Sequence, residues 1–376
     1  MTLSVFGTSS KKNENRIPIH PKHFDSIPKH ILQEMYFEEG YASNFGFNIK
    51  DYDVKGIVSR NELFSLSQNL LLPKPEMDDF ALMNEGSLVW GWPHCVQGTE
   101  ITQCAIDKKL TLVAFECMHG ANKHHIFHKN NEMAGNASVM HALQLKGIMP
   151  LFGEQLKVAV FGFGSTARGA VHALIGLGVN DITVYTKRPT YMVANQIPQV
   201  KYEQLTHHPM TRALTTNDSY LFDEVRNCDV IVNCVLQDVK NPLMFILNEQ
   251  VQLLKDNMLI VDVSCDSKMG FEFARPTSLD SPMFNVLDSS VSYYGVDHTP
   301  SLYWNTSSFE LSRSLLPYLS YFINDDGSFY ENEVLRGATE IKNGVILNRD
   351  IFQFQNRSNK YPFDILEKLK CSTLEG

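Results

Sequence analysis

The sequence predicts an α/β protein of two domains, one a doubly wound parallel-sheet unit inserted into the other. Three observations carry this reading. From residue 156 onward, β-branched and aromatic runs alternate with helical stretches, the pattern of βαβ units. One of these runs ends in a glycine-rich turn that opens a helix, "VAVFGFGSTARG" at 158–169. Sequence also remains on both sides of the α/β unit. The simplest architecture therefore assigns 134–298 to the inserted unit and joins 1–133 to 299–376 as a second α/β domain that holds the substrate. A chain of 376 residues suits two domains at roughly 100–200 residues each.

The elements follow in order. "LTLVAFECM" (110–118) reads as a buried strand, and "NNEMAGNASVMHALQLKG" (130–147) as a helix capped by Asn130 or Asn131. "LKVAVFGFG" (156–164) is a strand running into glycine, and "STARGAVHALIGLG" (165–178) a helix ending in Gly178. "DITVYT" (181–186), "CDVIVNCVL" (228–236) and "NMLIVDVSC" (257–265) are further strands, with helical stretches between them. A second long helix spans 306–323, kinked or broken at Pro317.

Composition excludes several function classes. Net charge is −9 and no basic run is present, which argues against nucleic acid as a partner. The apolar stretches fall short of the roughly 20 residues that span a bilayer, and no secretory leader is visible, so a cytoplasmic protein without membrane contact is expected. The seven cysteines (95, 104, 117, 228, 234, 265, 371) form no C-x-x-C pair and read as free thiols in a reducing compartment. "HGANKHHIFH" (119–128) holds four histidines, but no cysteine or carboxylate partners stand at metal-ligand spacing, so no metal is expected.

The glycine turn carries the first chemistry. Gly162 permits a tight strand-to-helix turn, and Gly164 lets backbone N–H groups approach a pyrophosphate. Ala167 lets the helix pack on the sheet, while Ser165 and Thr166 open that helix, whose N-terminus favours phosphate. This is the Rossmann dinucleotide-binding pattern. An acidic residue at the end of the next strand would bind the ribose of NAD. Thr186, Lys187 and Arg188 stand there instead, and a hydroxyl with two cations suits the extra phosphate of NADP(H).

Upstream, Arg16 lies in "KKNENRIPIHP" (11–21), Lys74 in "NLLLPKPE" (69–76) and His94 in "SLVWGWPHCV" (87–96), the last two just after apolar runs. Strand ends are where α/β folds display functional side chains. Together with the glycine turn, these segments resemble the alanine dehydrogenase/transhydrogenase family over nearly all of residues 1–325. So do "EMAGNASVMHAL", "DVSCD" (262–266) and "RPTSLDSPMF" (275–284). One branch, the N5-(carboxyethyl)ornithine synthases, is similar also in "YYGVDHTPSLYW" (293–304) and in the basic residues after the second strand.

The resemblance implies an NADPH-dependent reductive condensation of an α-keto acid, pyruvate, with the side-chain amine of a basic amino acid, in a homo-oligomer. It implies Arg16 and Lys74 on the keto-acid carboxylate or carbonyl, His94 as general acid/base, and Asp266 as a second catalytic group. Asp297 and His298, with Glu116 and Asp266 as alternatives, are candidates for the amine. Two related activities stay open, reductive amination with ammonia and condensation of 2-oxoglutarate with lysine. A dinucleotide sensor without turnover is the rival outside enzymes.

Overall fold

The structure, a computed structural model, describes residues 1–208, 213–217, 219–238, 241–324 and 327–366. The chain divides into two compact units, Met1–Phe127 with Trp304–Gly376, and His128–Tyr303.

The first unit is built on β1 (Leu3–Val5), β2 (Met35–Glu38), β3 (Gly56–Val58), β4 (Asn69–Leu71), β5 (Leu88–Gly91) and β6 (Thr111–Ala114). All six pair in parallel, in the order β3-β2-β1-β4-β5-β6. The strand Thr339–Lys342 then adds antiparallel to β6, and Val345–Ile346 follows it. β1, β4 and β6 are buried at every position, because both faces of a parallel sheet are covered. On one face, Phe37 of β2 shares a core with Phe24 and Phe115 and with Leu311 and Leu315 of the helix Trp304–Leu315. On the other, Leu112 of β6 and Ile341 share a core with Leu63 and Phe80. Trp90 stacks on Phe322 at 4.1 Å, a contact worth about 1 kcal/mol beyond the area it buries. In this strand order the connections after β1 and β4 leave in opposite directions, which opens a crevice at the carboxyl ends of the two strands.

The second unit begins with α1 (His128–Leu145). Then come β7 (Lys157–Phe161), α2 (Ser165–Gly176), β8 (Asp181–Thr186), β9 (Lys201–Gln204), β10 (Val230–Asn233) and β11 (Leu259–Asp262), closed by β12 (Met283–Asn285) and β13 (Ser292–Tyr294). The sheet order is β9-β8-β7-β10-β11-β13, again with one switch of direction, and β12 pairs antiparallel at the edge. α1 and α2 touch backbone to backbone. A Cβ on Gly169 would lie 1.8 Å from the Glu132 carbonyl oxygen, and one on Gly135 1.9 Å from that of Thr166.

Several elements differ from the sequence expectations. The strand expected over 110–118 ends at Ala114, and Phe115–Cys117 turns as a 3₁₀ helix. α1 starts at His128, so Asn130 is a buried residue of its first turn and not its cap. The helix ending near Pro317 stops at Leu315 and tightens into a 3₁₀ helix over Leu316–Phe322, because proline lacks the N–H that an α-helix needs there. The connections between the strands of the second unit carry less helix than expected. After β8, the described residues of these connections hold only Leu221–Val225 as α-helix, the 3₁₀ turns Thr190–Met192 and Asn248–Leu253, and short strands including Leu214–Thr216 and Met244–Ile246. Pro189, Pro198 and Pro242 interrupt helical hydrogen bonding in these segments. The six described cysteines are free, and Cys371 lies outside the described residues.

Candidate active site

In the first unit, four candidate side chains follow the carboxyl ends of adjacent parallel strands. Arg16 follows β1, Lys74 follows β4, His94 follows β5 and Glu116 follows β6. β1 and β4 are the two strands that flank the crevice.

Lys74 and His94 meet directly, with Lys74 Nζ 3.0 Å from His94 Nε2. An ammonium only donates, so Nε2 accepts and the neutral ring carries its proton on Nδ1. Nδ1 stands 3.6 Å from Glu116 Oε1. The same oxygen accepts the His94 backbone N–H at 2.8 Å. That bond holds His94 in a left-handed conformation (φ 50°), which costs a non-glycine residue energy and is sustained only by such partners. Lys74 is 8 % exposed, whereas the His94 side chain is 48 % exposed, so the imidazole is the accessible member of the pair. Burial, then the nearby Glu340 carboxylate, push Glu116 up to about 8.

Arg16 is buried over the Trp92 ring at 4.8 Å. Its Nε donates to Glu14 Oε1 at 2.7 Å, and its Nη2 donates to Glu14 Oε2. The bidentate edge assigned from sequence to a keto acid is thus engaged by Glu14. Burial opposes ionisation of Glu14, but the Arg16 charge and hydrogen bonds, with Lys74 nearby, hold its carboxyl below the usual range. Lys74 also lies near Glu14 and Glu116, and its charge acts to lower both carboxyls.

The histidine-rich loop closes the turn after β6. His125 Nε2 lies 3.2 Å from the Glu116 carbonyl oxygen, and His119 Nδ1 lies 3.0 Å from that of Cys117. Among the described residues no group of three or more His, Cys, Asp or Glu side chains is arranged to hold a metal.

In the second unit, Gly162 follows β7 with φ +89°. Its N–H donates to the Tyr185 carbonyl at 2.8 Å, and a Cβ there would press on the Cys234 backbone at 3.2 Å. Gly164 precedes α2, and no atom lies within 4 Å of where its Cβ would be. That open space, with Ser165, Thr166 and the buried Ala167 in the first turn of the helix, has the form that could hold a pyrophosphate at a helix N-terminus. Thr186 is buried at the end of β8 and its hydroxyl accepts the Arg188 N–H at 3.4 Å. Lys187 and Arg188 are exposed beyond it.

Asp266 lies on the loop after β11, and burial raises its carboxyl. That loop is fixed by Asp262, which is fully buried. Asp262 Oδ1 accepts Asn233 Nδ2 and the Cys265 N–H, each at 2.9 Å, and its Oδ2 accepts the Tyr293 hydroxyl at 2.8 Å. Burial pushes Asp262 up to about 7 despite these donors. Asp297 and His298 form a pair of their own at 2.6 Å. Asp297 is exposed, but His298 is only 2 % exposed and turned inward.

Sequence reasoning missed Glu14, Asp262 and Glu340. Glu14 stands two residues before Arg16 and Asp262 opens "DVSCD", so both were within the quoted segments. Glu340 has no local signal.

Residues 134–349 match the alanine dehydrogenase/PNT C-terminal domain family. An N(5)-(carboxyethyl)ornithine synthase of Clostridium botulinum is 26% identical over 321 residues, covering 80% of this chain and 89% of its own. An alanine dehydrogenase of Methanococcus maripaludis is 24% identical, covering 95% of this chain and 96% of its own. The fold matches that of an L-alanine dehydrogenase with a TM-score of 0.75 at 19% identity, over 94% of this chain and 99% of the other. No helix among the described residues is long and apolar enough to cross a membrane. The chain belongs to the alanine dehydrogenase/PNT family of nicotinamide dinucleotide-using oxidoreductases.

Proposed function

We propose that this protein condenses an α-keto acid, pyruvate, with the side-chain amine of a basic amino acid such as ornithine or lysine, and reduces the product with NADPH to an N-(1-carboxyethyl) amino acid. The observation that carries the chemistry is the Lys74–His94 pair at 3.0 Å, placed beside a buried, self-compensated Arg16–Glu14 pair. Lys74 holds the keto-acid carboxylate or donates to the carbonyl oxygen that leaves as water. His94, exposed and neutral at Nε2, takes the proton that the amine sheds on attack. Asp266, half-buried on the loop after β11, is the second acid–base group. Gly162, Gly164, Ser165, Thr166 and Ala167 hold the dinucleotide pyrophosphate, and Thr186, Lys187 and Arg188 hold the 2′-phosphate. Bound there, NADPH supplies the hydride that reduces the imine carbon.

An amino-acid amine is supported by an open polar cavity of about 450 Å³ in the first unit, next to Glu14. Ser9, Lys11, Lys12, Asn15, Ser43 and Asn44 are among the residues that line it. Hydroxyls, amides and ammonium groups suit the α-carboxylate of an amino acid, whereas ammonia needs no such space. The second reading is alanine-dehydrogenase-like amination with ammonia, favoured by the match to the Methanococcus protein over 95% of this chain.

The test is NADPH oxidation with pyruvate, glyoxylate or 2-oxoglutarate against ammonia, ornithine, lysine and other amino acids, with products identified by mass. The expected result is turnover that needs both pyruvate and a basic amino acid. Full rate with ammonia selects the second reading, and no oxidation with any pair overturns both.

A further inference from the structure

The last described stretch of the chain lies beyond the residues that match the family domain, which end at 349. It opens with the helix Arg349–Phe354. Asn348 starts this helix, its side chain accepting the Asp350 N–H at 3.0 Å, and Asn356 ends it in a left-handed conformation (φ 52°). Ile351 of the helix is fully buried in the same core as Cys95, Leu112 and Phe363. That anchor brings the next inward side chain, Gln355, to the turn after β5. Gln355 is 7 % exposed. Its Nε2 lies 2.7 Å from the Cys95 carbonyl oxygen, 3.1 Å from that of Val96 and 3.2 Å from Thr102 Oγ1. Its Oε1 accepts Arg357 Nε at 2.6 Å, which fixes which end of the amide donates. Arg357 is buried too, and it donates to Gln103 Oε1 at 2.8 Å and to the Thr99 and Phe363 carbonyls, each at 3.2 Å.

The two carbonyls that Gln355 holds belong to the residues directly after His94. His94 keeps a left-handed backbone, which persists only where its surroundings fix it. Glu116 fixes the upstream side through the His94 N–H. Downstream, the Gly98 N–H closes the turn on the His94 carbonyl at 2.9 Å, and Thr102 Oγ1 donates to the Cys95 carbonyl at 2.9 Å. Gln355 adds the donor that reaches both carbonyls inside that turn, from a place where a lost donor leaves a buried acceptor unsatisfied. We propose that Gln355 is a positioning residue: from the C-terminal segment it locks the turn after His94 and so keeps the imidazole against Lys74. A shift of about 1 Å at a reacting group can cost on the order of 100-fold in rate. The effect on turnover rests on the keto-acid reading; the hold on His94 does not.

Nitrogen NMR of the unliganded protein tests the hold. The His94 resonances, assigned by their loss in His94→Asn, should show a neutral ring with its proton on Nδ1. In Gln355→Leu both ring nitrogens should move toward the averaged values of a ring that exchanges its proton freely. Kinetics test the role: kcat with pyruvate and a basic amino acid should fall about 10- to 100-fold, with KM for NADPH within about twofold. Gln355→Glu keeps the acceptor for Arg357 but loses the donor, so it should fold and show the same two changes. Asn69→Leu is the control for lost stability, because it removes a buried bond to the Phe322 carbonyl at the amino end of β4; it should lower melting without either change. His94 resonances and kcat that match wild type in the Gln355 variants overturn the proposal. So do changes that Asn69→Leu reproduces at an equal loss of melting temperature. If Gln355→Leu does not fold, Gln355→Glu decides. Ring nitrogens that shift as expected in a protein without keto-acid turnover overturn the reading of function and leave the hold on His94 standing.

Discussion

Replacing Gly169 by alanine tests how the dinucleotide unit is held together. The added Cβ would lie 1.8 Å from the Glu132 carbonyl oxygen and 2.6 Å from its carbon, where ordinary contact begins at 3.4 Å. The shortfall is about 1.6 Å, and what it meets is helix backbone, which has no rotamer to escape into. α1 and α2 must therefore separate along their contact. Overpacking of a core typically costs about 1–3 kcal/mol, and a backbone-on-backbone clash belongs at the upper end. Taking about 3 kcal/mol, and about 2–4 °C per kcal/mol for a unit of this size, melting should fall by roughly 6–12 °C. Gly135→Ala meets the Thr166 carbonyl at 1.9 Å and should cost as much. The double variant should cost clearly less than the sum, because both substitutions demand the same displacement. α2 carries the glycine turn at its head, so dinucleotide affinity, measured by fluorescence titration, should weaken in parallel. Circular dichroism melts of Gly169→Ala within about 2 °C of wild type would refute the reasoning.

Other outcomes follow from the site. His94→Ala and Asp266→Ala should each lower kcat at least about 100-fold with melting unchanged, and a folded His94→Ala variant at near wild-type rate sinks its role. The double substitution of Lys187 and Arg188 by alanine should cut kcat/KM for NADPH about 10- to 100-fold and leave NADH within about twofold; equal losses for both cofactors would show the cations to be uninvolved. Arg16→Ala should raise KM for the keto acid and also destabilise the fold, because it strands Glu14 as a buried unpaired carboxylate; Glu14→Gln in the same chain should restore stability without restoring KM. Asp262 is raised from 3.8 to about 7, so the stability tied to its protonated form is full below about pH 4 and is lost as pH rises through 7. Asp262→Asn should flatten that fall in chemical-denaturation experiments between pH 4 and 8, and an unchanged pH dependence would remove the assignment.

Much of this was legible because it depends on local sterics or on position after a strand. Gly162 must adopt a positive φ, Gly178 ends a helix the same way, and Lys74 and His94 follow apolar runs that became β4 and β5. The rest depends on contacts across the chain. Nothing near Glu340 announces that its carboxylate will accept the Cys117 thiol, and nothing in "KKNENR" says that Arg16 will turn back on Glu14. The strand expected over 110–118 was drawn too long for the opposite reason. Phe115 and Met118 are buried like strand residues, but they reach the core from a 3₁₀ turn and its end, and hydrophobicity alone does not distinguish the two. His298, a candidate for the amine, proved buried against its own neighbour, which no local pattern foretold.

The strand Thr339–Lys342 has a consequence for how the chain is made. β6 is complete once the ribosome has passed residue 114, but its antiparallel neighbour emerges only after the entire His128–Tyr303 unit. At about 5–20 residues per second, that interval lasts roughly 11–45 s. Throughout it, the outer hydrogen-bonding edge of β6 and the apolar face later covered by Leu311 and Leu315 are exposed on a nascent chain. The second unit, continuous in sequence, has time to form first, and the two ends of the chain then meet around a sheet that has been waiting for its border. Folding yield during synthesis, and dependence on chaperones, should therefore respond more to changes near Ile341 than the modest size of that strand suggests.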